Sequence, residues 1–331
     1  MHHRVLLTFC SLFFTISFLF SQNSWQPLFN EIDLKNWTQT GGKAQYKVVD
    51  GAIAGIAVME TPNSFLTTKK TYRDFILEFE VYMDSDLNSG VQIRSHTDKS
   101  YRDGVMHGYQ VELDPSDRAF SGGIYDEQRR GWLYPLSRNP KAQSAFKMAQ
   151  WNKVHIEAIG NEINTWINGV QCARLVDDMT AEGVIGLQVH DIGSNEALRG
   201  AQVKWKNIRI ATSQLHELRW EPDPEVAQIS YLINALSDWE KRNGFRLLWD
   251  GKTNTGWRGA KLSTFPEKGW TIKDGVLTVE ATNGGESTGP GDIVTTEMFT
   301  DFELELEFKI TEGANSGIKY FVDPAINKGE G

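Results

Sequence analysis

The chain has 331 residues, a formal net charge of −9, 40% hydrophobic and 11% aromatic residues. That length fits about two domains, and that apolar content excludes a disordered chain. With 34 Lys and Arg against 43 Asp and Glu, and no basic block, the composition also excludes a basic nucleic-acid binder.

Met1 to Arg4 form a weakly basic head, and Val5 to Phe20 carry no charge before polar Ser21-Gln22-Asn23. The apolar run is shorter than the roughly 20 residues that span a bilayer. Residues 1–21 therefore read as a secretory signal peptide removed near Ser21, leaving no membrane span and a secreted or periplasmic protein. Cys10 leaves with it. Cys172 is then a lone thiol, so no disulfide framework is available and the core must supply the stability.

From Trp25 onward the pattern is β. Asp50-Gly51, Asn168-Gly169 and Asp274-Gly275 sit between apolar runs as hairpin turns do. Phe75, Leu77, Phe79 and Val81 alternate with Ile76, Glu78 and Glu80. After Asn88-Ser89-Gly90, Gln92 and Arg94 alternate with Val91 and Ile93. In Gly108 to Asp114, period-two geometry sets Tyr109, Val111 and Leu113 on one face and Gln110, Glu112 and Asp114 on the other. Ser121 to Pro135 mixes Gly, Asp, Arg and aromatics, with Tyr125, Asp126, Arg130 and Trp132 suited to sugar rings or, alternatively, to a packed loop. His155 alternates with Val154 and Ile156 and reads as a strand-face residue, while Gln188 and His190 alternate with Leu187 and Val189. If these strands share a sheet, an acid, a base, a guanidinium and amides converge; the plain alternative is a solvated sheet face.

Residues 213–244 read as a helical linker. Val226, Ile229, Leu232, Ile233 and Leu236 have helical spacing, Asp223 suits an N-cap, Pro224 the first turn and Gly244 the stop. A capping box at Ser237 to Glu240 allows two short helices instead. Next, Leu28 and Trp37 recur as Leu248 and Trp257, Asp50-Gly51 as Asp274-Gly275, Asp74 to Glu80 as Asp301 to Glu307, and Asn88-Ser89-Gly90 as Asn315-Ser316-Gly317. Matches in one order indicate a duplicated domain: a complete copy over 25–212 and the N-terminal half of a second over 245–331. Phe321 stands where copy one has Arg94 and Lys319 where it has Gln92, so copy two is expected to be inactive alone and the sequence to be cut from a longer two-domain enzyme. Many short strands with regular turns predict an all-β sandwich or jelly roll.

The Leu28/Trp37 opening, Asp50-Gly51, Asn88-Ser89-Gly90, Gly108 to Asp114, Ser121 to Leu133, Gly186 to His190 and Lys206 to Ile210 together resemble the 3-keto-disaccharide hydrolase family. The resemblance covers nearly all of copy one and the available part of copy two. It implies a concanavalin-like jelly roll with a carbohydrate site on its concave sheet and 3-keto-glycoside lyase or hydratase chemistry. A ketone at C3 acidifies the C2 hydrogen, so a base and a positive group or metal at the enolate oxygen are needed. On that basis Glu112 or His190 is expected as the base and Arg94 as the enolate contact. Gln92, Gln110, Asp114, Tyr125, Asp126, Arg130, Trp132 and Gln188 are expected to bind substrate, with Glu112, Asp114 and His190 as candidate ligands should a divalent ion be used. A non-catalytic carbohydrate-binding module and a structural cell-surface domain are the competing readings.

Overall fold

The computed structural model describes residues 24–280 and 291–322. The leader with Cys10, and Gly284, Gly285 and Gly289, lie outside the described residues.

Copy one contributes β1 (Trp25–Pro27), β2 (Trp37–Gly41), β3 (Gln45–Val49), β4 (Ala52–Ile56), β5 (Ser64–Thr68), β6 (Phe75–Met83), β7 (Ser89–His96), β8 (His107–Leu113), β9 (Ile124–Glu127), β10 (Gly131–Tyr134), β11 (Trp151–Ile159), β12 (Glu162–Ile167), β13 (Val170–Val176), β14 (Val184–Val189) and β15 (Gln202–Ala211). They build two facing sheets. One runs β13-β12-β11-β6-β15-β4-β3 with β1 on β15; the other runs β10-β9-β8-β7-β14-β5-β2. The sequence neighbours β6 and β7 lie in different sheets, and β14 returns to lie between β7 and β5, the crossing connections of a jelly roll. The alternation read from sequence sets the layers: Leu77, Phe79, Val81, Val91, Tyr109, Val111, Leu187 and Trp205 are buried between the sheets.

The expected turns form. Asp50-Gly51 joins β3 to β4 and Asn168-Gly169 joins β12 to β13, each with positive φ at both residues, as the twist of a two-residue hairpin demands. Cys172 is fully buried, and burial pushes its thiol up to about 12, so it acts as an apolar side chain.

The linker departs from expectation. Instead of one helix over Glu225 to Asn243, it holds α1 (Leu215–Leu218), a strand β16 (Ile229–Ser230) parallel to β13, and α2 (Asp238–Arg242). The capping box at Ser237 forms in full and starts α2. Upstream, sheet contacts outcompete helix propensity: Val226 enters the core, Arg174 donates to its carbonyl, and the Tyr231 amide donates to Val176. The segment also covers the outer face of the first sheet. Trp220 stacks on His155 at 4.0 Å, and Arg219 pairs with Glu157 and Glu162. His155 lies buried between Glu78 at 2.9 Å and Glu157 at 3.2 Å. Burial opposes its positive charge, yet Glu157 and Glu78 outweigh that and hold its pKa above the ordinary value.

Copy two contributes β17 (Trp257–Gly259), β18 (Trp270–Lys273), β19 (Val276–Val279) and β20 (Ile293–Thr295), paired as β17-β20 and β18-β19. Phe302 to Phe308, the counterpart of β6, forms no strand and stands exposed.

Candidate functional site

The second sheet turns one face to the core and the other outward. Its outward row is fixed by register: Tyr125 opposes Gln110, Gln110 opposes Gln92, and Gln92 opposes Gly186; one step along, Glu112 opposes Gly90. These positions carry a directional hydrogen-bond chain. Ser95 Oγ donates to Gln92 Oε1 at 2.7 Å, Gln92 Nε2 to Gln110 Oε1 at 2.7 Å, and Gln110 Nε2 to Glu112 Oε2 at 2.9 Å. Asn88 Nδ2 donates to the other carboxyl oxygen at 2.6 Å. Every amide in the chain thus points its N–H groups toward Glu112, which fixes its position and favours its charged form.

The Asn88-Ser89-Gly90 motif acquires a role at each residue. Asn88 holds Glu112, and Ser89 Oγ donates to the Gln188 carbonyl at 2.7 Å. A Cβ at Gly90 would fall 2.5 Å from Gln110, so only glycine leaves room for that amide. Gln188 itself is fully buried on the same face, and among the described residues neither its Oε1 nor its Nε2 has a partner. A buried primary amide without bonds costs on the order of 1–3 kcal/mol per unsatisfied group, and such a group is a ready anchor for a hydroxyl-bearing ligand.

Around the carboxyl stand Asp114, Arg118, Phe120, Tyr125 and Trp132. Arg118 Nε donates to Asp114 Oδ2 at 2.6 Å, and its Nη2 lies 3.5 Å from Glu112 Oε1. The guanidinium also sits 5.2 Å from the centre of the Trp132 ring, whose edges meet Phe120 and Tyr125. Burial drives the Glu112 pKa above the ordinary carboxyl value, against the opposing pull of Asn88, Gln110 and Arg118.

Gln92, Gln110, Glu112, Tyr125, Trp132 and Gln188 therefore share the outward face, with Asp114 at its end. His190 follows β14 at the same end, half-exposed, its Nδ1 2.7 Å from the Asp191 carbonyl. Three expected site residues lie elsewhere. Arg94 occupies an irregularity in β7 with φ 47°, which turns its side chain from the row; it is buried and bonds the carbonyls of Arg73 and Gly160 and the Asp74 carboxylate. Asp126 is opposite Tyr109 on the core side, clamped by Arg129 and Arg130 at 2.6 Å each. Arg130 reaches on to Asp177, which accepts from the Tyr109 hydroxyl. This ion network lies on the other side of the sheet from the outward row.

The metal candidates do not fit a resident ion. Among the described residues no group of three His, Cys, Asp or Glu side chains gathers with metal-binding geometry, and Arg118 and Ser116 already occupy the Asp114 oxygens. Sequence reasoning missed Asn88, Arg118 and Glu127. Glu127 was legible, because it lies two residues beyond Tyr125 on one strand and hence on the same face.

Comparison with known proteins places this geometry in context. A family model described as a 3-keto-alpha-glucoside-1,2-lyase-like domain matches residues 24–211 and 244–330. A 3-keto-disaccharide hydrolase of Bacteroides thetaiotaomicron is 40% identical over 88 residues, 26% of this chain and 30% of that protein. The chain thus matches less than a third of that relative's length. A putative glycosyl hydrolase from Parabacteroides distasonis is 16% identical, covering 56% of this chain and 93% of that one with a TM-score of 0.41. A galectin-like protein of unknown function from Bacillus subtilis is 12% identical, covering 56% and 94% with a TM-score of 0.42.

Proposed function

The chain belongs to the 3-keto-alpha-glucoside-1,2-lyase-like domain family, and from that membership we propose that it is an exported enzyme that cleaves 3-keto-glycosides by proton abstraction and β-elimination. The observation that carries the reading is the outward row of copy one, where a directional chain of amides ends on buried Glu112 beside Arg118 and the unpartnered Gln188.

Glu112 takes the C2 hydrogen as a proton. The C2–H electrons move into the C2–C3 bond, and the C3 carbonyl becomes an enolate. Arg118, rather than Arg94, is the cation near this row and stabilises the developing charge. When the enolate collapses, the C3 carbonyl re-forms, a C1–C2 double bond appears and the C1–O bond breaks. The leaving oxygen takes up one proton as it departs and Glu112 gives up the one it abstracted, directly or through water, so the carboxylate is restored. Addition of water across the new double bond then gives net hydrolysis. The raised Glu112 pKa suits the task, since a base is most effective when its pKa approaches the working pH. Gln188, Gln92 and Gln110 hold ring hydroxyls, and Tyr125 with Trp132 flanks the sugar. Half-exposed His190 is the other candidate base.

The test is turnover of a 3-keto-disaccharide by Glu112→Gln, His190→Ala and Arg118→Met. Glu112→Gln should lower kcat by about 10²- to 10⁴-fold, and the wild-type acid limb should have its midpoint above the ordinary carboxyl value of 4.5. Full activity of Glu112→Gln would remove it from the mechanism. Binding of unmodified glycans with no turnover by the wild type would favour a carbohydrate-binding module.

A further inference from the structure

Glu127 and Asn63 stand at opposite corners of the outward face. Glu127 ends β9 opposite Gly108, two residues from the Tyr125–Gln110–Gln92–Gly186–Thr67 row. Asn63 precedes β5, four residues from Thr67 in the other direction along the sheet. Strands β8, β7 and β14 lie between them. In a flat sheet, six residues of rise and four strand spacings would hold the two positions roughly 27 Å apart. Yet Asn63 Nδ2 lies 3.5 Å from Glu127 Oε1. The chain at these two corners therefore bends over the outward face.

The contact is braced on both sides. Asn63 Oδ1 accepts the Asp191 amide at 2.8 Å, which ties it to the end of β14 next to His190. On the other side Gln128 Nε2 lies 3.3 Å from the same Glu127 oxygen, and the Gln128 carbonyl accepts the Tyr101 hydroxyl at 2.6 Å. On the same face Gln92, Gln110, Glu112 and Gln188 are all buried although they point away from the core. Burial raises the Glu127 pKa, with Gln128, His190 and Asn63 pulling the other way.

We propose that Asn63 and Glu127 form a clasp across the groove, closing an open trough into a covered pocket that admits a short saccharide and excludes a longer chain. The specificity part of this inference rests on the carbohydrate reading above; the clasp does not. Wild type, Asn63→Ala and Glu127→Ala would be compared on a 3-keto-disaccharide and on its trisaccharide extension. The wild type should favour the disaccharide, and each variant should raise the ratio of kcat/KM for trisaccharide over disaccharide by about tenfold. An unchanged ratio in both variants, or a wild type that handles both substrates equally, overturns the specificity role.

A second measurement needs no turnover. In Asn63→Cys/Glu127→Cys, dibromobimane fluoresces only when it bridges two thiols. Bridging in the double variant and not in either single one supports the clasp, and its absence in folded protein overturns it. A wild type that turns over neither substrate would sink the proposed function and leave bridging to decide the clasp alone.

Discussion

The two copies share motifs and differ in what those motifs become. Asp50-Gly51 and Asp274-Gly275 both close two-residue hairpins, and the β2–β5 pairing of copy one has its counterpart in β17–β20. One backbone conformation recurs as well: Phe321, at the position of Arg94, has φ 52° where Arg94 has 47°. The central strand does not persist. In copy one, β6 is hydrogen-bonded by β11 on one side and β15 on the other, whereas Phe302 to Phe308 has no ladder. Turns and hairpins are thus encoded locally, while a central strand exists only when both neighbours satisfy its backbone. The outward row depends on strands of that kind, because neighbouring strands in register align Gln92, Gln110 and Glu112.

Truncating aromatic side chains in the two copies should give the widest contrast. Trp205→Ala removes a fully buried side chain from copy one and should cost about 3–5 kcal/mol. Phe308→Ala, at a position 75% exposed in copy two, should stay within about 0.5 kcal/mol. Urea unfolding followed by tryptophan fluorescence would measure both, and equal losses would break the contrast. Next comes Arg94→Met, which takes the donor from the Arg73 and Gly160 carbonyls and from half-exposed Asp74, and should destabilise by about 2 kcal/mol. Its kcat on a 3-keto-disaccharide, corrected for folded fraction, should be unchanged; a fall like that of Glu112→Gln would return Arg94 to the chemistry.

The smallest effect concerns pH. His155 has a raised folded pKa, so its contribution to stability is full below the unfolded value of 6.5 and is lost as pH rises through the folded one. Wild-type stability should therefore decline across that window. His155→Gln should flatten the decline, read from denaturation midpoints at successive pH values.

Much of the fold was legible because period-two alternation and Asx-Gly turns are local signals. The outward row was legible wherever parity ran unbroken, as from Gln110 to Glu112. It failed at Arg94, where one bulge residue reverses the side on which later side chains lie. Asp126 was misplaced for a simpler reason: Tyr125 and Glu127 face the groove, so the residue between them cannot. The linker misled because apolar residues three and four apart also suit an extended strap whose side chains dock on a sheet edge. Arg118, outside any strand, left no periodic trace at all.

That strap has a consequence for dissecting the protein. A boundary drawn at Thr212, where the repeat ends, would leave Tyr231, Val226 and Trp220 on the discarded piece. The outer edge of β13 would then be bare, and Glu157 would lose Arg219 and the Trp220 amide, which donates to it at 2.6 Å. Such an edge invites pairing between molecules, so copy one expressed to Thr212 should self-associate. Extended through Tyr231, the same domain carries its own edge guard and should remain monodisperse. The repeated sequence and the packing around copy one thus end some twenty residues apart, since β16 at Ile229–Ser230 still pairs with β13.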